Sequence, residues 1–577
     1  MTTVFMKKKI LICCNFYPPF FIGGAEIIAH QQARQLQKAG YDVAVFCAKH
    51  DDGDRRYSIL KEVFDELRVF RVIQHAQDYE VGGNFYKPAL DKLFIQVVKE
   101  VKPDVVHFHN ITGLSLGIIE KAHRLQIKTV LTLHDHWGFC FKNTLLKVYD
   151  QVCNDFSKCR ECLADVVDNQ GRLLNIRLRK DYIALQFNKV DYFVSPSRYL
   201  ASAYTKVGLP AEKIHVISNG INVKRFSQIK KVSHKNAIRF TFIGNIGFHK
   251  GIHVLIAALK LLLERAYLGN LCIINIVGTG DMTGDLTKFV MENHLDSTVK
   301  IWGKVEHPQI ESVYENTDVL ITPSIWPENE PVTILEAMAA GIPIIASALG
   351  GNLDLIKDGV NGFLFDVGNA QMLADKMVEM TVDRNRIKSM GQQAYKIVAD
   401  NTLSNYVSHI ANIYQKESNS NNLSERIVLC SGEHLSPQCI RAINSFDDDT
   451  NKNQGYRFIM SDWLAPEDWE AVDILWIVDE KGREQDILNA MRQGRPILVP
   501  EQNQKLVELC RNGQCGLFYA DEVEAEVCLK YLINKPSLLA TLGQNAKKFS
   551  SKYKNKFSTT IWSKLKSVHK RLHLVSY

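Results

Sequence analysis

Two glutamates in the middle of the sequence have the side chains and the spacing for holding a polyhydroxylated ligand. Glu328 lies in a loop, and Glu336 stands eight positions later, in the first turns of the following helix. A carboxylate offers several acceptor sites in one plane and can hold two vicinal hydroxyl groups. Backbone N–H groups around Thr333 and Ile334, at the start of that helix, are free to receive a phosphate. The alternative for Glu336 is a helix-favouring residue near the positive end of the helix dipole.

A glycine-containing loop earlier in the chain adds a cation. Within the segment Phe242–Gly251, a loop that contains Gly244, Asn245 and Lys250 follows a strand and precedes a helix that begins near Ile252. Open parallel sheets bind ligands at the carboxyl ends of their strands, and helix N-termini attract phosphate. Lys250 would supply a point charge to a diphosphate. The alternative is an exposed surface lysine, since the segment lacks the Walker pattern.

Four cysteines form a second candidate site, and they are Cys140, Cys153, Cys159 and Cys162. Four thiolates can bind zinc tetrahedrally, so the spacing predicts a structural zinc site. Only one C-x2-C pair is present, however, and the alternative is a set of buried thiols in an insertion.

Short apolar runs separated by helical segments recur along the sequence. Runs without polar alternation are typical of strands buried on both faces, and their alternation with helices predicts parallel, doubly wound sheets. Between two rounds of such strands, Ser218–Asn222 is a turn-rich hinge. The predicted strands are Ile10–Cys14, Val43–Cys47, Val105–Phe108, Thr129–Leu133, Arg239–Ile243, Cys272–Val277, Val319–Ile321 and Ile344–Ala346.

The chain of 577 residues is too long for a single core. We predict a Rossmann-like lobe over residues 1–218 with a cysteine-rich insertion near 138–165, a second lobe over 219–416, a linker over 417–424 and a third Rossmann-like lobe over 425–577.

The third lobe repeats the second at a spacing of about 153 residues, as internal duplications do. Asn489 stands where the second lobe has Glu336, so the third lobe is predicted to keep the architecture and to lack the polar chemistry. The matched segments are Ile334–Met338 with Ile487–Met491, Gly341–Ile344 with Gly494–Ile497, Asn361–Phe365 with Gln514–Phe518, and Met390–Gln392 with Leu542–Gln544.

The net charge of +7 comes from the end of the chain. Eleven of the 70 Lys and Arg residues follow Glu526, and no Asp or Glu does; the preceding part therefore has 59 basic and 63 acidic residues, a net charge of −4. We expect no nucleic-acid partner. Apolar residues from Ile561 to Val575 fall on one face of a basic helix, which predicts either peripheral contact with an anionic membrane or packing on its own lobe.

Targeting signals are not recognisable in the sequence. Lys7–Lys9 and the apolar run Ile10–Cys14 begin like a signal peptide, but the run ends at Asn15 without a small-residue cleavage site. Thirteen cysteines, an odd number in a chain without a signal, indicate reduced thiols. We therefore expect a cytoplasmic protein, peripheral on the inner face of the cell membrane if the basic helix binds lipid.

Taken together, these motifs resemble the large retaining family 4 (group 1) of nucleotide-sugar-dependent glycosyltransferases, which have the two-lobed GT-B fold. The resemblance covers roughly residues 8–416. Besides the segments described above, it is carried by Gly23–Glu26, Pro103–His107, Thr132–Asp135, Pro196–Ser197 and Gly341–Pro343.

The resemblance implies a role for each matching residue in holding a nucleotide-diphosphate sugar. Lys250 would neutralise the diphosphate, and Gly24 would let the first-lobe loop approach it. Glu336 would hold the ribose hydroxyls, and Glu328 the transferred hexose. Asn245 stands where the family commonly has an arginine, so one half of the usual cationic clamp is absent.

The resemblance also implies a mechanism without a protein nucleophile. His134 would line the reaction centre, and the leaving diphosphate would help to deprotonate the acceptor on the same face of the sugar. No Asp-x-Asp follows a strand of the second lobe, so we expect catalysis to require neither a metal nor another cofactor.

The expected function is transfer of a hexosyl unit to a glycan or lipid-linked acceptor, in cell-surface polysaccharide synthesis. Two alternatives are a nucleotide-sugar epimerase on a similar scaffold and a non-catalytic scaffold subunit of a glycan-synthesis complex. The degenerate third lobe favours the scaffold, whereas the presence of Lys250, Glu328 and Glu336 together in the second lobe favours the enzyme.

Overall fold

The computed structural model divides into two compact units, residues 1–418 and 419–577. The first unit contains two separate sheets and the second unit contains one. The residues that the structure describes are 8–20, 23–79, 85–147, 151–156, 158–167, 176–232, 237–417, 426–431, 456–460, 472–478 and 484–552.

The first sheet has eight strands in the order β3-β4-β2-β1-β5-β6-β7-β8. All neighbours are parallel except β3 and β4, which form an antiparallel hairpin at the edge. Asp65 and Glu66 connect the hairpin with φ values of +46° and +62°, as a two-residue type I′ turn requires. The strands are β1 Lys9–Cys14, β2 Asp42–His50, β3 Ile59–Phe64, β4 Leu67–Gln74, β5 Val105–Phe108, β6 Lys128–Thr132, β7 Tyr192–Ser195 and β8 Ile214–Val216.

Helices connect these strands because each crossover between parallel neighbours must return along the sheet. The helix Gly24–Lys38 follows β1 and contributes Ile28, Ala29, Ala33 and Leu36 to the core. The helices of this lobe are Gly24–Lys38, Pro88–Val101, Gly117–Arg124, Cys159–Cys162, Ile176–Asn188 and Arg198–Lys206.

The second sheet has six strands, all parallel, in the order β11-β10-β9-β12-β13-β14. The chain winds outward from β9 through β10 to β11 and then returns to the other side of β9. The place where the winding reverses is therefore between β9 and β12, and open sheets bind ligands at that point. The strands are β9 Ile238–Ile243, β10 Cys272–Val277, β11 Val299–Gly303, β12 Val319–Thr322, β13 Ile344–Ser347 and β14 Gly362–Phe365.

Two apolar clusters cover the two faces of the second sheet. Helix Ile252–Glu264 packs on one face, and helix Val332–Ala339 packs on the other. Within β12, Val319 and Ile321 belong to the first cluster and Leu320 to the second, as strand alternation requires. The helices of this lobe are Val223–Ser227, Ile252–Glu264, Thr283–Glu292, Glu311–Glu315, Val332–Ala339, Asn352–Leu355, Ala370–Val382 and Arg384–Val398.

The chain returns to the first lobe after the second sheet is complete. Helix Leu403–Gln415 packs its side chains into the core of the first lobe. Tyr406 Oη donates to Gln32 Oε1 at 2.8 Å, and Tyr414 Oη lies 2.7 Å from His107 Nδ1. The first unit thus has two interlobe connections, one on the way out and one on the way back.

The second unit contains a five-stranded parallel sheet in the order β16-β15-β17-β18-β19. This is the order of the second sheet without its edge strand β11. The strands are β15 Arg426–Ser431, β16 Tyr456–Met460, β17 Ile474–Ile477, β18 Ile497–Pro500 and β19 Gly516–Tyr519. The helices are Glu484–Arg492, Gln504–Gly513 and Glu522–Asn534, and a further helix occupies residues 536–552.

Glycine contacts recur at the positions that the sequence repeat pairs. A Cβ on Gly391 would lie 2.1 Å from the carbonyl oxygen of Gly341, and a Cβ on Gly543 would lie 2.1 Å from that of Gly494. Gly341 and Gly494 have φ values of +66° and +67°. Repetition of both the strand order and this backbone contact supports an internal duplication.

Parts of the predicted C-terminal features lie outside the described residues. These are most of the linker 417–424 and the basic amphipathic helix Ile561–Val575. Over the described part of the chain, we find no helix with the length and apolar character needed to cross a bilayer.

Candidate functional site

Lys250 and Glu328 meet at the reversal point of the second sheet. Lys250 follows β9 and Glu328 follows β12, and Lys250 Nζ lies 2.7 Å from Glu328 Oε1. Ser324 Oγ and Trp326 Nε1 donate to the same oxygen at 2.6 and 2.9 Å. The ammonium group also lies 4.9 Å from the centre of the Trp326 ring. The loop after β12 therefore holds a carboxylate, a cation and an aromatic face together.

Glycine at position 251 makes this arrangement possible. Gly251 has φ +74°, and a Cβ there would lie 1.8 Å from the carbonyl oxygen of Pro323. The backbone after Lys250 therefore passes directly against the end of β12. This contact sets the short distance between the lysine and the loop that carries Glu328.

The carboxyl group of Glu328 is ionised in spite of its burial. Burial raises its pKa, but the charge of Lys250 and hydrogen bonds from Lys250, Ser324 and Trp326 outweigh burial and leave the pKa below its ordinary value. An ammonium group has three N–H donors. With one donor directed at Glu328, Lys250 retains two for another anion.

Glu336 is buried and already has two protein partners. His307 Nε2 lies 2.7 Å from its Oε1, and Tyr314 Oη donates to its Oε2 at 2.8 Å. Each carboxylate oxygen has a second lone pair, so both can still accept a hydroxyl group. Glu336 therefore belongs to a cluster with His307 and Tyr314, and the helix-favouring alternative does not explain these contacts.

Of the other residues predicted from the second lobe, Gly244 and Asn245 lie beside the loop after β10, and Thr333 and Ile334 follow the loop that carries Glu328. Asn245 is exposed, and its Nδ2 donates to the carbonyl oxygen of Thr279 at 3.2 Å. Gly244 precedes it at the end of β9. Thr333 and Ile334 lie in the first turn of helix Val332–Ala339, and the Thr333 carbonyl oxygen accepts from Tyr314. Ile334 N donates to Pro331 O at 3.0 Å, so this N–H is not free for a phosphate, in contrast to the prediction.

The first lobe contributes His134, which follows β6. Its Nε2 lies 2.8 Å from His109 Nδ1, and the two rings are stacked with their centres 5.1 Å apart. Burial lowers the pKa of His134 to about 4. The imidazole is therefore neutral near pH 7 and can serve as a hydrogen-bond donor or acceptor.

The loop after β1 lies beside the His134 segment. Burial raises the pKa of Glu26, and the charge of Asp135 raises it further, which places these two carboxyl groups near each other. Glu26 Oε2 accepts from Gly23 N at 3.0 Å. A Cβ on Gly24 would contact no protein atom within 4 Å, so the backbone there faces open space, as an approach to a ligand requires.

The loop after β12 contacts the His134 segment directly. Asn329 Nδ2 donates to the carbonyl oxygen of His134 at 2.8 Å. Because Asn329 is adjacent to Glu328, the Lys250–Glu328 pair and His134 lie on facing sides of one interlobe boundary. A second contact at this boundary joins Tyr199 N to Asp354 Oδ2 at 3.0 Å.

The four cysteines of the insertion do not form a metal-binding group. Among the described residues, which include all four, no three His, Cys, Asp or Glu side chains lie together in a way that could hold a metal ion. Cys159 and Cys162 instead pack against an apolar cluster that contains Leu163 and Ile176. The zinc prediction gains no support from this arrangement, which agrees with the alternative of thiols within an apolar insertion.

Two family models match the two lobes in order. Residues 22–225 match the model described as Glycosyltransferase Family 4, and residues 223–397 match Glycosyl transferases group 1. The boundary between the two matches falls just after the turn at Ser218–Asn222. Residues 22–397 carry two glycosyltransferase domains.

Two curated glycosyltransferases are similar to this chain, one over half of its own length and the other over most of it. The amylovoran biosynthesis glycosyltransferase AmsK of Erwinia amylovora is 28% identical over 208 residues, which are 35% of this chain and 50% of that protein. UDP-Gal:alpha-D-GlcNAc-diphosphoundecaprenol alpha-1,3-galactosyltransferase of Escherichia coli is 24% identical over 382 residues, which are 63% of this chain and 86% of that protein.

Solved structures resemble the glycosyltransferase domains in fold. HepE of Anabaena, solved in complex with UDP, has a TM-score of 0.51 and 19% identity, over 70% of this chain and 99% of that one. The predicted GT-B fold of two Rossmann-like lobes is confirmed by this likeness.

Several polar groups around Glu328 and Glu336 were not found from the sequence. Ser324 and Trp326 complete the environment of Glu328, and His307 holds Glu336. Trp326 could have been considered, because a buried indole N–H usually finds a hydrogen-bond partner and Glu328 is two positions away. His307 lies outside every motif in the sequence.

Glu330 is a further buried carboxyl group in the same loop. Ser218 Oγ donates to its Oε1 at 2.6 Å, and Asn219 N donates to its Oε2 at 2.6 Å. Burial raises its pKa to about 8, although the hydrogen bonds from Ser218 and Asn219 act in the opposite direction and the charge of Asp354 adds to the rise.

Glu330 is expected to make stability fall as the pH rises from about 5 to about 8. The unfolded chain releases this proton near pH 4.3, whereas the folded chain keeps it to about pH 8, so the folded state binds more protons in that window. The free energy of unfolding should decrease by up to about 1.4 kcal/mol per pH unit. The facing groups are Asp354 and Tyr406. Denaturant titrations across this range should show a flatter dependence for Glu330→Gln, and equal slopes would contradict the assignment.

Proposed function

We propose that the chain is a retaining glycosyltransferase that moves a hexosyl unit from a nucleotide-diphosphate sugar to a glycan or lipid-linked acceptor. The observation that carries the proposal is the Lys250–Glu328 pair at the reversal point of the second sheet, joined through Asn329 to the His134 segment of the first lobe. A donor at this point would face both lobes, as transfer between two substrates requires.

The residues of the site suit a reaction in which negative charge develops on a leaving diphosphate. As the bond from the sugar C1 to the diphosphate oxygen breaks, Lys250 would stabilise the charge on the diphosphate. The acceptor oxygen forms the new bond to C1 on the same face, and its proton passes to the departing diphosphate. Glu328 would hold a hexose hydroxyl, and neutral His134 would hydrogen bond to the sugar as it reacts.

The relatives support a role in cell-surface polysaccharide synthesis. One is named for amylovoran biosynthesis, and another for galactosyl transfer to a diphosphoundecaprenol-linked sugar. HepE was solved with UDP. On this basis we propose a uridine-diphosphate sugar as the first donor to test, a lipid-linked saccharide as acceptor, and action at the cytoplasmic face of the membrane.

Release of nucleoside diphosphate from a panel of nucleotide sugars tests the proposal. We expect the purified full chain to release it from one donor only when a lipid-linked or glycan acceptor is present, and the new linkage to keep the anomeric configuration of the donor. The control variant is Glu328→Gln, which removes the carboxylate that is proposed to hold the hexose. Conversion of the donor to its epimer without release of diphosphate would identify an epimerase, and absence of nucleotide binding would favour the scaffold.

A further inference from the structure

Three consecutive residues of the loop between β12 and helix Val332–Ala339, which we call the donor loop, contact three different parts of the first unit. Glu328 pairs with Lys250 in the predicted donor site. Asn329 donates to the carbonyl oxygen of His134 in the first lobe. Glu330 accepts two hydrogen bonds from the segment that connects the lobes. A displacement of any one of these residues would be transmitted to the other two, because they are neighbours in the chain.

The two connections between the lobes run side by side. Ile221 N, on the outward connection, donates to Asn401 O on the return connection at 2.8 Å, and Ile221 forms a parallel bridge with Thr402. Asn401 Nδ2 donates to Ser218 Oγ at 2.5 Å. A Cβ on Gly220 would lie 2.6 Å from Tyr406 Cβ, so the segments are in close contact. Residues 218–222 and 401–402 therefore form one hinge.

Glu330 is the donor-loop residue that contacts this hinge. Both of its carboxyl oxygens are used, one by the Ser218 hydroxyl and one by the backbone N–H of Asn219. Glu330 is 8% exposed, so water cannot readily replace these partners. Ser218 in turn is held by Asn401, which extends the network to the return connection.

We propose that Glu330 is a positioning residue that couples the interlobe hinge to the loop that holds the donor sugar. Domains joined by such connections can close around ligands, with a few connecting residues absorbing the change in backbone angles. Through Glu330, the placement of Glu328 and Asn329 would follow the hinge, so that the sugar is aligned with His134 only when the lobes are correctly placed. The proposal rests on the proposed function, because it concerns the same site.

The first test compares two substitutions of Glu330 in the full chain. Glu330→Ala removes both links, and we expect kcat to fall about tenfold to a hundredfold through misplacement of the sugar. Binding of the donor should change less than about threefold, because its predicted ligands Lys250, Glu328 and Glu336 remain. Glu330→Gln should restore kcat, because an amide can accept from Asn219 N and donate to Ser218 Oγ. Glu264→Ala, exposed at the end of its helix, is the matched control.

The second test does not depend on catalysis. Hydrogen exchange of the amides at 218–222 is measured with and without uridine diphosphate, and in parallel with guanosine diphosphate. We expect whichever nucleotide binds to slow exchange at the hinge of the wild-type chain. In Glu330→Ala the same nucleotide should bind, but exchange at the hinge should no longer respond to it.

Three results would overturn the proposal. One is unchanged kcat in Glu330→Ala, another is an equal loss in donor binding and kcat, and the third is a hinge that still responds to nucleotide in that variant. If Glu330→Ala does not fold, Ser218→Ala replaces it, since that change removes one link and should lower kcat by a smaller factor. A wild-type chain that binds nucleotide with a hinge response but transfers no sugar would refute the proposed function and leave the coupling supported.

Discussion

Replacement of Lys250 by alanine is expected to lower sugar transfer about a thousandfold, which is the upper range for loss of one group that stabilises developing charge. Lys250 Nζ contacts Glu328 with one of its three donors, and two remain for the diphosphate. The charge on the diphosphate grows as the sugar leaves, so the loss should affect kcat more than donor binding. Initial rates of nucleoside diphosphate release over a range of donor concentrations measure both quantities.

Loss of the lysine also leaves the buried Glu328 carboxylate without its cation, so stability must be controlled. The double variant Lys250→Ala with Glu328→Gln removes both charges and should recover stability without recovering transfer. Lys260 is exposed on the helix after Lys250, and Lys260→Ala should be as active as wild type. A folded Lys250→Ala chain that turns over within about threefold of the wild-type rate would contradict the predicted role.

Eight strands of the first two sheets were predicted from sequence because they are short, largely buried runs, whereas β4, β7, β8, β11 and β14 were not predicted. The predicted strands are β1, β2, β5, β6, β9, β10, β12 and β13. Lys9–Cys14 has five buried residues of six, and its run Ile10–Cys14 shows no polar alternation. The edge strand Ile59–Phe64 was not predicted, since it has no fully buried residue and its charged Lys61 and Glu62 interrupt the apolar pattern. A half-exposed edge strand leaves little sequence signal.

The pairing of Lys250 with Glu328 was only partly predictable. The sequence places each residue after a strand, but the two are 78 positions apart in the chain. Lys250 Nζ lies 2.7 Å from Glu328 Oε1 only because β9 and β12 are neighbours in the sheet. The sequence shows the order of strands along the chain and not their order in space. The family resemblance supplied this proximity, whereas hydrophobic periodicity did not.

The hinge contacts of Glu330 could not be predicted from residue types. Its partners are a serine hydroxyl and a backbone N–H, 112 and 111 positions away, and such groups occur in every loop. The same applies to Asn329, which contacts a backbone carbonyl group of the other lobe. Side-chain patterns mark motifs that bind ligands, but contacts to the backbone leave no pattern in the sequence.

Replacement of Glu336 is expected to weaken donor binding about a hundredfold for alanine, because a hydrogen bond to a charged group contributes about 1.5–3 kcal/mol. In the proposed function its carboxylate accepts both ribose hydroxyls, with lone pairs that His307 and Tyr314 leave free. The glutamine variant keeps one oxygen for Tyr314 Oη and loses the second acceptor, so donor binding should fall about tenfold with little change in folding. Titration with nucleotide diphosphate measures both effects.

A purely structural role for Glu336 predicts a different pattern from ribose binding. If Glu336 only held His307 and Tyr314 in place, His307→Ala and Tyr314→Phe would weaken binding as much as Glu336→Gln, since each breaks one of the same bonds. If Glu336 binds ribose, both of these variants keep the carboxylate and should bind the nucleotide several times more tightly than Glu336→Gln. A 2′,3′-dideoxy nucleotide provides the matched test: it should bind wild type weakly and lose no further affinity in Glu336→Gln, because the hydroxyl groups that the carboxylate would hold are already absent.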